Sequence, residues 1–215
     1  VLSVDRADYT KAVIERLNIV DRFFERRPEM VGNLSFLQIC GRSRAGLPAF
    51  DSYWNDCRSL YEQINNRWRK DSWQPVQWME QPLNASELSV LYRRASAMLV
   101  NPVRDGLNLT AKEYVACQDK KPGVLLLSPG AGVWHEIGKY ALPADPHQPE
   151  QVVDSLAKAL HMSEFESKAI NVLARIKLEK FCLDTWWNYF ERVSMKSRPA
   201  MPAAASRDEL DIKTA

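Results

Sequence analysis

The sequence predicts an α/β fold in which a parallel β-sheet carries helices on both faces. Three observations lead there. Short apolar runs alternate with amphipathic stretches along most of the chain, the βαβ pattern of such a sheet. Three of the runs are followed by polar loops, and an open α/β sheet gathers such loops along its carboxyl edge, where ligands bind. At 215 residues and 46% apolar content the chain can bury a sizeable core.

The elements follow in order. Residues 1–4 form the first strand candidate, and the chain opens on it without an initiator Met, so a fragment cut at a domain boundary is expected. A helix is expected over about residues 12–27, because Val13, Leu17, Val20 and Phe24 recur at steps of three and four. Pro28 ends it. Residues 34–40 give the second strand. Phe50, Tyr53, Trp54, Cys57, Leu60, Tyr61, Ile64 and Trp68 then hold helical spacing. Such an aromatic stripe reads as core or domain contact, not as a platform for stacking bases.

Residues 76–79 form the third strand, and Asn84-Ala85-Ser86-Glu87 has the form of a capping box that opens the next helix. The fourth strand, residues 97–100, breaks into a Gly-containing loop that enters a helix ending in Tyr114-Val115-Ala116-Cys117. Residues 124–127 and 140–142 complete the strands. Ser163-Glu164-Phe165-Glu166 is a second capping box, opening a helical section that reaches Met195. Its end carries Phe181, Trp186, Trp187, Phe190 and Val193, more aromatic area than a terminal surface helix needs, so a partner surface is expected. One domain over residues 1–196 is the expectation, with residues 197–215 (Pro199, Pro202 and an Ala triplet) as a disordered tail.

Charge and cysteine content narrow the function. With 29 basic and 27 acidic residues the net charge is only +2, and no Lys/Arg block suggests a nucleic-acid partner. Phosphate binding must therefore come from a few placed cations. Cys40, Cys57, Cys117 and Cys182 are widely spaced and read as free thiols in a reducing compartment. No apolar run approaches the roughly 18–20 residues of a membrane span, and no signal peptide is recognisable, so the cytoplasm is expected. No metal motif is present; His147 and His161 lack ligand spacing.

The loops carry the chemistry. Arg6 and Lys11, between the first strand and the first helix, are placed to grip a diphosphate, Arg bidentately and Lys as a point charge. A solvated loop whose Asp and Arg pair with each other is the alternative. Arg42 and Arg44 lie between Gly41 and Gly46, where backbone can approach a phosphate closely, or they are ordinary surface arginines. Asp105, Asn108 and Glu113 surround a strand-to-helix turn whose N–H groups favour anions, and Glu113, about one turn into the helix, can reach a ribose. This reads as a nucleotide-sugar site. His135 beside Glu136, after the turn Ser128-Pro129-Gly130-Ala131-Gly132-Val133-Trp134, has no third member for acid–base work and reads as structural or rim.

Together these segments resemble the C-terminal half of the trehalose-6-phosphate synthase family, retaining glycosyltransferases built from two facing Rossmann-like domains in the GT-B arrangement. The resemblance rests on Ser3-Val4-Asp5-Arg6-Ala7-Asp8-Tyr9-Thr10-Lys11, on Ser43-Arg44, and on Arg104-Asp105-Gly106-Leu107-Asn108-Leu109-Thr110-Ala111-Lys112-Glu113-Tyr114-Val115-Ala116. Pro122-Gly123-Val124-Leu125-Leu126-Leu127-Ser128 and Ile64-Asn65 add weaker support, and coverage extends to about Val193.

By this resemblance Arg6 and Lys11 would hold the donor diphosphate and serve as the catalytic residues. Glu113 would hold the ribose of a uridine or guanosine nucleotide. Asp105, with the backbone of Gly106, Leu107 and Asn108, would hold the donor glucose, and Leu109 would approach the phosphates. Arg44 would reach the phosphate of the acceptor, glucose 6-phosphate. The implied substrates are UDP-glucose or GDP-glucose and a sugar phosphate, with no cofactor and no metal. Close relatives glucosylate glycerol 3-phosphate instead, and Ser43-Arg44 favours the trehalose branch. A non-catalytic sensing relative is the further alternative.

Two departures stand out. Lys11-Ala12 replaces the family's Lys-Gly, and Pro129-Gly130-Ala131-Gly132-Val133 replaces its Phe-Ala-Gly-Ala-Ala run. The resemblance also implies an N-terminal domain, absent here, that docks on the C-terminal helix and supplies much of the acceptor pocket, so this chain alone is expected to be inactive. Homo-oligomerisation stays open.

Overall fold

The computed structural model describes residues 1–196; the expected tail lies outside the described residues. The described residues divide into two compact units, Val1–Glu179 and a second that begins at Lys180.

The first unit is built on one six-stranded sheet. Its strands are β1 (Leu2–Ala7), β2 (Phe36–Arg42), β3 (Val76–Met79), β4 (Ala97–Val100), β5 (Val124–Leu127) and β6 (Leu142–Pro143). The spatial order is β3-β2-β1-β4-β5-β6, with every pairing parallel. This is the doubly wound order, whose direction reverses between β1 and β4; ligands bind outside the carboxyl ends of the strands at such a switch point.

Helices α1 (Val13–Arg26), α2 (Pro48–Trp68), α3 (Ala85–Arg94), α4 (Leu109–Cys117), α5 (Trp134–Ile137), α6 (Pro149–His161) and α7 (Glu164–Glu179) complete the unit. Successive strand residues point to opposite faces, so the apolar runs of β4 and β5 fill two cores at once. Leu99 and Leu126 join Leu17, Phe24, Trp54 and Leu156 beneath α1, α2 and α6. Met98, Val100, Leu125 and Leu127 join Tyr92, Tyr114, Val115 and Ile137 beneath α3, α4 and α5.

The aromatic stripe of α2 is core, as its spacing predicts. Trp54 and Tyr61 pack on Trp78, with ring centroids 5.8 and 5.4 Å apart. Trp68 packs on Phe24 at 6.0 Å. Tyr53 also serves the neighbouring helix, its hydroxyl accepting from the N–H groups of Val13 (2.9 Å) and Ile14 (3.3 Å). That satisfies first-turn donors of α1, whose N-cap, Ala12, offers no side-chain acceptor. Both capping boxes form, Asn84 with Glu87 and Ser163 with Glu166.

Four expectations need correction. β2 runs over Phe36–Arg42 instead of residues 34–40, so Gly41 and Arg42 belong to the strand and not to the loop after it. β1 extends to Ala7, so Arg6 belongs to the strand, its register continued by pairing with Gly41. Tyr140 lies in a 3₁₀ turn, Gly138–Tyr140, and β6 begins at Leu142; the short apolar run hides the turn. The C-terminal helical section is also interrupted. α7 ends at Glu179 and α8 (Leu183–Lys196) begins after a turn, at the division between the units. Taken by itself, α8 exposes Trp186, Trp187, Tyr189 and Phe190, and Trp186 stacks on Phe190 with centroids 5.5 Å apart.

Candidate functional site

A cavity of about 880 Å³ opens at the switch point. β1 and the turn after it contribute Asp5, Arg6 and Lys11; the end of β2 contributes Gly41 and Arg42. Asp105 and residues 107–110 close it from the β4 side, and Glu80, Gln81, Pro82, Leu83 and Leu88 from the side of α3.

The chain after β1 turns sharply to deliver Lys11. Asp8 caps the 3₁₀ turn Tyr9–Lys11, its Oδ1 accepting from the Thr10 N–H at 3.0 Å and the Thr10 hydroxyl at 2.8 Å. Ala12 then takes the left-handed conformation, φ 54°, before α1 begins. The family's Gly would adopt this conformation without strain, so Lys11-Ala12 keeps the shape at the cost of some backbone strain. The Thr10 carbonyl accepts from the N–H of Val103 (2.9 Å) and tethers this turn to the loop after β4.

That tether brings Lys11 onto Asp105: the Lys11 ammonium pairs with Oδ2 of Asp105, and both side chains are mostly buried. Asp105 also accepts from the Asn108 amide (3.0 Å) and the Leu107 N–H (3.3 Å). Burial pushes the Asp105 carboxyl up, but the Lys11 ammonium, the Asn108 amide and the Leu107 N–H outweigh it and hold the group below the usual carboxylate range. Asn108, at φ 70°, is the N-cap of α4, and its Oδ1 accepts from the Ala111 N–H and the Thr110 hydroxyl, each at 2.9 Å. Asn tolerates this left-handed backbone better than most residues.

The turn after β5 supports the same loop from behind. The Asp105 N–H donates to the Gly130 carbonyl (3.0 Å), that of Gly132 to the Asp105 carbonyl (2.9 Å), and that of Val133 to the Leu107 carbonyl (2.9 Å). A Cβ on Gly132 would lie 2.1 Å from the Gly106 carbonyl oxygen, and one on Gly130 2.3 Å from that of Val103. Both glycines are there because two backbones meet. Despite its different sequence, then, the turn from Pro129 to Val133 acts as a brace.

A second polar cluster lies under the cavity floor. The buried guanidinium of Arg16 donates to Asp5 Oδ2 (2.7 Å), Asn101 Oδ1 (2.6 Å), Gln38 Oε1 (3.1 Å) and the Lys11 carbonyl (3.1 Å). Burial raises the Asp5 carboxyl above its ordinary range, against the pull of Arg16. The network ties β1, β2, the end of β4 and the Lys11 turn to one side chain of α1.

The residues singled out from sequence do not all line the cavity. Arg6, Lys11, Asp105, Leu107, Asn108 and Leu109 do. Arg6 is exposed and has no ion-pair partner among the described residues. Gly106 lies in the loop behind the lining. Glu113 is exposed on α4 outside the lining and accepts from the Tyr92 hydroxyl at 3.0 Å. Arg44 also stands outside the lining, at φ 43°, its guanidinium 4.9 Å from the Phe50 ring centre. Arg42 lines the cavity and pairs with Asp51 at 2.7 Å. Glu136, beside His135, pairs with Lys112 at 2.6 Å.

Sequence reasoning missed two parts of the site. The wall formed by residues 80–83 is an irregular connection with no motif. Arg16 did leave a signal: it recurs in phase with Val13, Leu17 and Val20 on the apolar face of α1. Among the described residues no group of side chains could hold a metal ion, and no helix is long and apolar enough to cross a membrane.

The family model described as Glycosyltransferase family 20 matches residues 1–193. A trehalose-6-phosphate synthase of Enterobacter sp. (strain 638) is 37% identical over 163 residues, 75% of this chain and 34% of the relative. A glucosylglycerol-phosphate synthase of Pseudomonas anguilliseptica is 36% identical over 166 residues, 76% of this chain and 22% of the relative. Among solved structures, the UDP-forming α,α-trehalose-phosphate synthase of Burkholderia xenovorans in complex with glucose-6-phosphate superimposes with a TM-score of 0.87 at 34% identity, over 90% of this chain and 43% of that one. The chain thus spans less than half the length of these relatives.

Proposed function

The chain belongs to glycosyltransferase family 20, and on that premise we propose that it forms the donor-binding half of a retaining glycosyltransferase. The enzyme would move glucose from UDP-glucose or GDP-glucose to glucose 6-phosphate, giving trehalose 6-phosphate. The observation that carries this reading is the cavity at the switch point, where exposed Arg6 and the Lys11–Asp105 pair meet the start of α4. Cations and a helix N-terminus suit a diphosphate; a carboxylate beside them suits sugar hydroxyls.

In the proposed reaction the acceptor hydroxyl oxygen bonds to C1 of glucose as the bond from C1 to the diphosphate oxygen breaks. The hydroxyl proton passes to the departing diphosphate on the same face. No enzyme nucleophile is needed, and the protein's work is to position the partners and stabilise charge on the leaving group. Arg6 and Lys11 have that role, Asp105 and the backbone of residues 106–108 hold the sugar, and Leu109 approaches the phosphates. Glu113 holds the ribose, its carboxylate oriented by Tyr92. Arg44 binds the acceptor phosphate. An N-terminal GT-B domain would supply the rest of the acceptor pocket and dock on α8. All four cysteines are free thiols, in keeping with a cytoplasmic enzyme.

The similarity to a glucosylglycerol-phosphate synthase favours one second reading, with glycerol 3-phosphate as acceptor. Donor binding is tested by calorimetric titration of UDP and GDP into this chain and into Arg6→Ala. Saturable binding of one nucleotide, weakened about 10²-fold in the variant, is expected, on the scale of a lost charge-assisted phosphate contact. Absence of binding to a folded wild-type chain would contradict the reading.

A further inference from the structure

The site holds an ion pair of its own. The Lys11 ammonium rests on Oδ2 of Asp105, with 17% and 15% of the two side chains exposed. Among the described residues the Asp105 carboxylate has two other donors, the Asn108 amide and the Leu107 N–H. Arg6 lines the same cavity and has no ion-pair partner among the described residues. An entering diphosphate therefore meets Arg6 freely but must compete with Asp105 for Lys11.

What happens next depends on whether the diphosphate carries a sugar. A bare nucleoside diphosphate that draws Lys11 away leaves an under-paired carboxylate near its own phosphate oxygens, and like charges in a partly buried site repel. A diphosphate that carries a sugar brings hydroxyl donors, which occupy the acceptor positions Lys11 vacates on Asp105. We infer that Asp105, by competing with phosphate for Lys11, makes this cavity discriminate a nucleotide-sugar from the corresponding free nucleoside diphosphate. The inference rests on the donor-site reading above and adds a specificity role to it. It also gives turnover a direction: once the sugar has left, Lys11 returns to Asp105 and the diphosphate is released.

The test is calorimetric titration of UDP and UDP-glucose, with GDP and GDP-glucose in parallel, into the wild-type chain and Asp105→Asn. The variant keeps the side chain's shape and its oxygen toward the Leu107 N–H while removing the charge. UDP should bind about tenfold tighter to Asp105→Asn, the scale of one partly buried charge contact. UDP-glucose should bind no tighter or more weakly, so the preference for the sugar-bearing ligand collapses. Asp105→Ser, which also removes the carboxylate, should shift UDP in the same direction. A merely structural role would weaken both ligands together, and that outcome, or an unchanged ratio, would overturn the inference while leaving the donor site standing. A wild-type chain that binds none of the four ligands would overturn both.

Discussion

Arg16 shows how much of this site hangs on one side chain that touches no ligand position. Its guanidinium serves Asp5, Gln38, Asn101 and the Lys11 carbonyl within a buried network. Arg16→Met should leave Asp5 buried without its cation and cost about 3–5 kcal/mol of stability, measured by denaturant unfolding. Adding Asp5→Leu to that variant should recover part of the loss, because no isolated charge then remains buried. At this scale the sequence was partly readable. Lys11, Asp105 and Asn108 do meet, because each sits in a strand-to-helix connection and a backbone hydrogen bond from Val103 to Thr10 ties the two connections together. Arg44 stands outside the cavity lining, with a left-handed backbone and its guanidinium over the face of Phe50. Which way a surface arginine points depends on its packing partners, and those belong to other elements.

The connections matter as much as the strands and helices. The turn after β5 holds the Asp105 loop through three backbone hydrogen bonds that require Gly130 and Gly132 at the contact. Gly132→Ala should force the two backbones apart, lowering stability by about 1–3 kcal/mol in thermal unfolding and weakening nucleotide binding with it. Strands β3, β4 and β5 could be read to the residue, because their apolar runs are bounded by turn residues. β1 ran longer than its apolar run, since Asp5 and Arg6 are polar yet keep the register with β2. The break between α7 and α8 was invisible because none of Lys180, Phe181 and Cys182 is a Gly or Pro that would mark a helix end.

The parallel sheet follows from the alternation of strands and helices, and such a sheet binds ligands at the carboxyl ends of its strands. The chain's division into two units does not follow from any sequence pattern. α8 keeps Trp186, Trp187 and Phe190 exposed, and such a patch favours self-association. Trp186→Ser with Trp187→Ser should reduce concentration-dependent association in light scattering and leave nucleotide binding unchanged. Everything proposed for the whole molecule depends on a nucleotide occupying the β1/β4 switch point. The most direct test is to map amide chemical shifts of the isotope-labelled chain during UDP titration. The expected shifts cluster on Arg6, Lys11, residues 106–110 and Glu113. Shifts gathered instead around Trp134, Lys139 and Lys177, or spread evenly over the surface, would contradict the account.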